Sequence, residues 1–296
     1  MDALWIILWR IVLRRVGSGN RTSRRGGRSG ASHARRANYQ KDNLEAPEII
    51  YNPDLKQYYL FVSYDPLMTT YNVRVGRSDK AEGPFVDFSG VELKDTTNNF
   101  PILTAPYRFH NHPGWAGTAH CSVFTSDEGQ YFMAHQGRLS PHNQMMDLHL
   151  RQVFFTPDGW PVVSPERYTG WVSRKFSAED MAGEWEVIRI QEPAYERRLQ
   201  AGQILWGEGQ LKEEEWNVSH LLSLEKNGNL GENKGTWELL EAKQLLSLTL
   251  EGEIINNLII FAGHDWENEK ETVLFTGLDS CGRSIWESEL SNHIYI

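Results

Sequence analysis

Hydrophobic and polar positions alternate in short runs between residues 45 and 163, and the same arrangement of runs occurs twice, about 74 residues apart. Each copy has four runs rich in β-branched and aromatic residues, separated by Asp, Asn, Gly and Pro, which predicts a four-stranded antiparallel meander. The runs begin at Glu45, Gln57, Tyr71 and Gly83 in the first copy, and at Ala119, Gln130, Leu148 and Gly159 in the second. Repeated sheet units of this size indicate the blades of a β-propeller.

The pattern changes after Gly170. A short capped helix or turn is predicted at residues 177–183, and seven strand-like runs follow. The runs are Trp185–Ile190, Ser219–Leu224, Gly235–Leu239, Leu245–Leu250, Leu258–Ala262, Thr272–Leu278 and Ser284–Glu287. Their spacing predicts a small antiparallel barrel or sandwich, and the sequence leaves both open. The chain is therefore predicted to be all-β, with a propeller part at 44–172 and a barrel-like domain at 173–296.

Residues 1–43 are predicted to be a disordered segment. Residues 17–37 are almost entirely Gly, Ser, Arg and Asn, with too little apolar surface to bury. The apolar run near the start has only seven residues and is interrupted by Arg10, so it makes neither a convincing signal peptide nor a membrane span. An RNA-binding arm, a transit peptide and a sequence foreign to the fold are left open.

Charge is distributed unevenly along the chain. Residues 1–44 carry ten Lys and Arg against two Asp, a net charge of +8, so the remaining residues carry −17 of the total of −9. This balance argues against nucleic acid binding by the folded part. Eleven Trp, eleven Tyr and twelve Phe suit either sugar stacking or core packing. The two cysteines, Cys121 and Cys281, make no disulfide framework or zinc site and are predicted to be buried free thiols.

Chemistry is expected where the innermost strands of the two copies begin, at Glu45 and His120. Glu45 precedes Ala46 and Pro47, and a proline biases the residue before it toward an extended conformation. The Glu45 carboxylate would then be held at a strand start, pointing along the propeller axis. A solvated charge at a strand end is the alternative for Glu45, and a hydrogen-bonded structural residue is the alternative for His120.

The run Leu44-Glu-Ala-Pro-Glu-Ile-Ile-Tyr, followed by the runs at 58–64 and 71–78, resembles the endo-α-1,5-L-arabinanases of glycoside hydrolase family 43. The resemblance covers residues 44–172 and continues more loosely into an accessory β domain. It implies a partial five-bladed β-propeller of about two blades, an extracellular location, and arabinan or an arabino-oligosaccharide as the partner, with no nucleic acid or membrane. The accessory domain would pack against the propeller or bind polysaccharide.

In that family the Glu of the Glu-Ala-Pro motif is the general acid, so the resemblance implies this role for Glu45. Inverting hydrolysis also needs a base on the other side of the scissile bond. The base would lie before Glu45, where Asp2 and Asp42 are the only acids. We therefore expect a truncated arabinan hydrolase that lacks the base and has little activity. A non-catalytic carbohydrate-binding or interaction module is the alternative.

Further residues are assigned by the same resemblance. The family has a Gly-His-Asn-Ser motif on the propeller axis, and Ala119-His120-Cys121-Ser122 matches its His and Ser. This implies calcium held by His120 and waters. The predicted substrate contacts are Tyr71, Asn72, Trp115, Gln136 and Arg151. A structural salt bridge is the alternative for Arg151.

Overall fold

The structure is a computed structural model and describes residues 44–95, 100–170, 174–192 and 211–290, together with Ala34. These residues form two sheets and a closed barrel, as the all-β prediction requires. The disorder predicted for residues 1–43 lies outside the described residues, apart from Ala34. Within the described ranges, no helix has the length and apolar character needed to cross a bilayer.

The first sheet contains the first sequence copy. Its strands are β1 (Leu44–Asn52), β2 (Gln57–Tyr64), β3 (Asn72–Ser78) and β4 (Ile102–Thr104), hydrogen-bonded in that order. The fourth predicted run, at residue 83, does not form the fourth strand. Val86 makes a single bridge to Arg77 at one end of β3, and β4 pairs with Val73 and Arg74 at the other. The edge of β3 that faces away from β2 therefore pairs with two short segments, one at each end.

The second sheet contains the second copy. Its strands are β5 (Tyr107–Arg108), β6 (Trp115–Ala116), β7 (Ser122–Thr125), β8 (Tyr131–Leu139), β9 (Asp147–Phe155) and β10 (Pro161–Val163). Strands β7 to β10 form the predicted meander. Strand β8 is long enough to pair also with β6, which continues the sheet to β5. Strand β12 (Asn217–Val218) then adds to β5 in parallel.

The barrel follows a short helix, α1 (Ala178–Met181), which Ser177 and Asp180 cap reciprocally. The barrel strands are β11 (Gly183–Arg189), β13 (His220–Leu224), β14 (Asn229–Leu230), β15 (Gly235–Leu240), β16 (Leu245–Leu250), β17 (Glu253–Asp265), β18 (Lys270–Leu278) and β19 (Ser284–Glu289). Two 3₁₀ turns lie at Glu213–Glu215 and Gly231–Asn233. All seven predicted runs form strands, and these strands form a closed barrel rather than a sandwich. The eighth strand, β14, has two residues, too few to give a sequence pattern.

The barrel packs against the sheets through a shared core, as expected for the accessory domain. Side chains alternate along a strand, so Ile285 points into the barrel while Trp286 points out of it, into the core of the sheets. The Trp286 ring meets Tyr107 edge-on at 5.3 Å. Ser284 Oγ also donates to the Ile102 carbonyl at 2.7 Å. The two parts are therefore joined by burial as well as by hydrogen bonds.

The two cysteines differ in environment. Cys121 is buried, and burial raises the pKa of its thiol. Cys281 is exposed, so its predicted burial is wrong. It lies in the turn between β18 and β19, where Asp279 accepts hydrogen bonds from the backbone N–H groups of Cys281 and Arg283. A tight turn at a barrel end leaves such a side chain in solvent.

Candidate active site

Glu45 and His120, each at the head of a different sheet, meet in the structure. The Tyr71 hydroxyl donates a hydrogen bond to Glu45 Oε1 and lies 3.4 Å from His120 Nδ1. Glu45 Oε1 and His120 Nδ1 are 3.7 Å apart. The side chains of Glu45 and His120 are 50% and 57% exposed, whereas Tyr71 is buried. The cluster is thus a solvent-accessible carboxylate and imidazole on a buried tyrosine.

The backbone turns sharply at both strand heads. Between Glu45 and Glu48 the β1–β2 register gains one residue, which is a β-bulge. Ala46, inside the bulge, has φ of +48°, so its predicted extended conformation is wrong. His120 itself has φ of +58°. Left-handed backbone in non-glycine residues is uncommon and occurs preferentially at functional sites.

Ser63 connects the members of this cluster. It lies opposite Glu45 in the β1–β2 ladder, and its Oγ accepts the His120 backbone N–H at 2.9 Å. The pKa of Tyr71 is raised above its usual range by burial first, and then by the hydrogen bond to Glu45 and the charge of that residue. The Tyr71 hydroxyl therefore keeps its proton and acts as a fixed donor to Glu45 Oε1. This leaves Glu45 Oε2 as the oxygen available to a ligand.

A second carboxylate of the same motif, Glu48, was not singled out from the sequence. Ser122 Oγ donates to Glu48 Oε1 at 3.3 Å, which links β1 to β7. Burial raises the pKa of Glu48, and the hydrogen bond from Ser122 partly opposes this rise. The only sequence signal for Glu48 was its place in the Glu-Ala-Pro-Glu run. It holds together the two strands that present Glu45 and His120.

Two of the predicted substrate contacts are engaged with neighbouring protein groups. Asn72 is fully buried, and its Nδ2 donates to Asp65 Oδ2 at 2.7 Å while its Oδ1 accepts from Arg74 Nε at 3.0 Å. Gln136 is half-buried, and its Nε2 donates to the Gly117 carbonyl at 3.2 Å. Tyr71 is the predicted contact that the structure brings to Glu45. The substrate roles of these three residues stay predictions.

Arg151 and Trp115 are buried in the interior. Arg151 is fully buried, and its guanidinium donates to His135 Nε2 at 3.0 Å and to the Tyr107 hydroxyl at 2.8 Å. Its third nitrogen donates to the Ser164 carbonyl at 2.9 Å. Trp115 is 4% exposed, and its Nε1 donates to Glu267 Oε1 at 3.3 Å. Substrate contact by either residue likewise stays a prediction.

His120 offers a limited site for a cation. Calcium usually takes six to eight oxygen ligands, and the neighbouring oxygens of Glu45 and Tyr71 are hydrogen-bonded to each other. In the described part of the chain, the close set of three or more carboxylate, His or Cys ligands is Glu166, Asp265 and Glu267. Burial and the other two carboxylates raise the pKa of Glu166 well above its usual range. A proton on Glu166 therefore reduces the repulsion within this acidic set.

Comparison with known proteins matches both parts of the chain. The sequence model described as glycosyl hydrolases family 43 matches residues 30–161, and the model of the C-terminal lipocalin-like domain of that family matches residues 165–287. The extracellular endo-alpha-(1->5)-L-arabinanase 2 of Bacillus subtilis is 26% identical over 83% of this chain, and the extracellular endo-alpha-(1->5)-L-arabinanase of Thermotoga petrophila is 27% identical over 82%. The chain spans about half the length of these relatives, 53% and 52%.

Solved structures show the same fold. The crystal structure of endo-1,5-alpha-L-arabinanase from Thermotoga petrophila superposes with a TM-score of 0.70 at 23% identity, covering 84% of this chain and 56% of the other. A family 43 glycoside hydrolase from Bacillus licheniformis gives 0.71 at 23% identity, with the same coverage. With both of its parts matched, the chain is a glycoside hydrolase family 43 protein of the endo-1,5-α-L-arabinanase-like type that carries the family's C-terminal lipocalin-like domain.

Proposed function

We propose that this protein takes part in the hydrolysis of α-1,5-linked arabinan outside the cell, with Glu45 as the general acid. The observation that carries the proposal is the meeting of Glu45, Tyr71 and His120 at the heads of two sheets. The relatives named as extracellular arabinanases support the substrate and the location. The half-exposed Glu45 carboxylate can reach a polymer, whereas a fully buried acid could not.

In the proposed mechanism, Tyr71 orients the acid. Because its hydroxyl donates to Glu45 Oε1, the proton of the neutral carboxyl group is carried on Oε2. Oε2 then donates this proton to the glycosidic oxygen as the bond to the anomeric carbon breaks, which avoids a strongly basic leaving group. Ser63 fixes the His120 backbone beside the acid. A water activated by a base attacks from the opposite face in an inverting reaction.

We further propose that the two sheets are propeller blades and that the base is not supplied by this chain. Strands β1 and β7 lie side by side, as the innermost strands of adjacent blades do, and Glu48 and Ser122 join them. The base expected from the family would precede Glu45 in the sequence, outside the described residues. On this proposal the polypeptide itself hydrolyses arabinan slowly.

We also propose that calcium binds weakly at His120, through one ring nitrogen and waters. The half-exposed imidazole leaves room for a hydration shell, and one nitrogen among waters is a weak ligand set. A bound cation would supply positive charge close to the acid. The proton transfer assigned to Glu45 does not depend on it.

The test compares linear arabinan with an aryl arabinofuranoside whose leaving group is weakly basic. An acid matters most for a basic leaving group, so Glu45→Gln is expected to lose far more rate on arabinan than on the aryl substrate. Glu48→Gln, on the same strand, is the control and is expected to affect both substrates equally. Equal losses for Glu45→Gln on the two substrates would contradict the acid role.

The missing base has its own test. A small anion such as azide or formate can replace an absent carboxylate, so it is expected to accelerate cleavage of the aryl substrate by the unmodified protein. Rapid turnover of arabinan without any added anion would show that a base is present. Binding of arabino-oligosaccharides without cleavage under any of these conditions would instead favour a carbohydrate-binding module.

A further inference from the structure

The barrel contains a cavity that the proposed hydrolysis does not use. Its volume is about 600 Å³, and it opens at the end of the barrel where β11 ends, β13 begins and the β16–β17 turn lies. Eight-stranded barrels are wide enough to hold one small ligand, and barrel mouths are a frequent place for such sites. The volume lies within the range of small-molecule pockets.

The inner wall of this cavity is apolar. It is formed by inward-pointing side chains of five strands, which are Val187, Leu222, Leu248, Ile255 and Ile285. Four of the five belong to the buried barrel core, and Val187 packs against that core. At the entrance, His220 and Leu221 are exposed, and Leu221 leaves 55% of its surface in solvent. The apolar part of a ligand would therefore contact apolar side chains both at the entrance and along the inner wall.

Several charged residues also line the cavity, and Glu287 is the buried one among them. Glu287 lines the cavity, two residues after Ile285 on β19, and its side chain is fully buried. Within the part of the chain that the structure describes, neither of its carboxyl oxygens has a hydrogen-bond partner. A buried polar group without a partner destabilises the fold, and a charged group does so more strongly. Burial accordingly raises the pKa of Glu287 well above its usual range.

Arg189 is the cation whose charge acts on Glu287, but it does not hydrogen-bond to that carboxyl group. Arg189 also lines the cavity and partly opposes the rise in the Glu287 pKa. Its guanidinium, however, donates to Glu253 Oε2 at 2.8 Å and lies 3.7 Å from Asp279 Oδ2. Two carboxylates thus neutralise Arg189, and the Glu287 carboxyl group is left without a partner among the described residues, next to the apolar wall of the cavity.

We propose that the barrel cavity binds a small amphipathic ammonium compound, with its apolar body against the inner wall and its ammonium group hydrogen-bonded to Glu287. An ammonium has several N–H donors and can serve both carboxylate oxygens, whereas an alcohol has a single donor. Hydrogen bonds between charged partners are also about twice as strong as neutral ones. A ligand carboxylate could be held only by the protonated form of Glu287 and would be repelled by its charged form.

The test is calorimetric titration of the full chain with three probes of equal length, hexylammonium, hexanol and hexanoate. Hexylammonium is expected to bind at least tenfold more tightly than either of the others. Glu287→Gln keeps the shape of the side chain and removes its charge, so it is expected to weaken hexylammonium at least tenfold and hexanol less than threefold. Glu238→Gln, an exposed carboxylate on β15, is the control and is expected to change neither.

A second variant tests the cavity itself. Val187→Trp places a large ring at the cavity wall and is expected to weaken hexylammonium and hexanol alike, with circular dichroism confirming that the barrel remains folded. Absence of hexylammonium binding, equal affinity for hexanol or hexanoate, or an unchanged hexylammonium affinity in Glu287→Gln would each overturn the proposal. Because no sugar substrate is involved, these results are independent of the role of Glu45.

Discussion

Replacing Arg151 by Met separates a structural role from the substrate contact predicted from the sequence. The fully buried guanidinium donates to His135 Nε2, to the Tyr107 hydroxyl and to the Ser164 carbonyl. Met fills similar space and donates to none of them. Each buried acceptor left without a donor costs about 1–3 kcal/mol. Loss of the cation–π contact with Trp286, at 4.8 Å, adds about 0.5–2 kcal/mol.

We therefore expect Arg151→Met to lower the free energy of unfolding by at least about 3 kcal/mol, a large share of the roughly 5–15 kcal/mol typical of a folded protein. Urea unfolding followed by tryptophan fluorescence measures the change. Arg108→Met is the matched control, because Arg108 is part-exposed and pairs with the exposed Glu213 at 3.2 Å. Exposed pairs contribute about 0–1 kcal/mol.

Two results would contradict a structural role for Arg151. In the first, the unfolding free energy of Arg151→Met stays within about 1 kcal/mol of that of the unmodified protein while the affinity for arabino-oligosaccharides falls. The structural reasoning would then be refuted and the substrate contact supported. Equal destabilisation by Arg151→Met and Arg108→Met would refute the argument from burial.

Three further predictions concern other groups. Burial, and then the charge of Arg151, lower the pKa of His135 to about 3. The contribution of neutral His135 to stability is therefore complete above pH 6.5 and is lost as the pH falls toward 3, by at most about 1.4 kcal/mol per pH unit. Urea midpoints measured across this pH range should decline less in His135→Asn than in the unmodified protein. Tyr71→Phe keeps the buried ring but loses the bond to Glu45, and should lower the unfolding free energy by about 1 kcal/mol. A chelator should leave the melting temperature unchanged, and a large drop would contradict weak calcium binding at His120.

The sequence alone determined the class of fold and most of its strands. Period-two alternation and turn residues located seven of the eight barrel strands, the second meander and three strands of the first, because these signals arise within a few neighbouring residues. The Glu-Ala-Pro run, which is also a signal from neighbouring residues, singled out Glu45. The eighth strand, Asn229–Leu230, and the division of the β3 edge escaped prediction, because segments that make only one or two bridges are too short to give a sequence pattern.

Only the tertiary structure decided what each chemical group faces. Arg151 and Asn72 are polar in the sequence, yet the packing of the sheets and the barrel surrounds both with protein acceptors. The free carboxyl of Glu287 arises because β19 turns it into a closed barrel whose other strands come from up to a hundred residues earlier. Local alternation sets which way a side chain points, whereas the partner that it meets is set by contacts between distant segments.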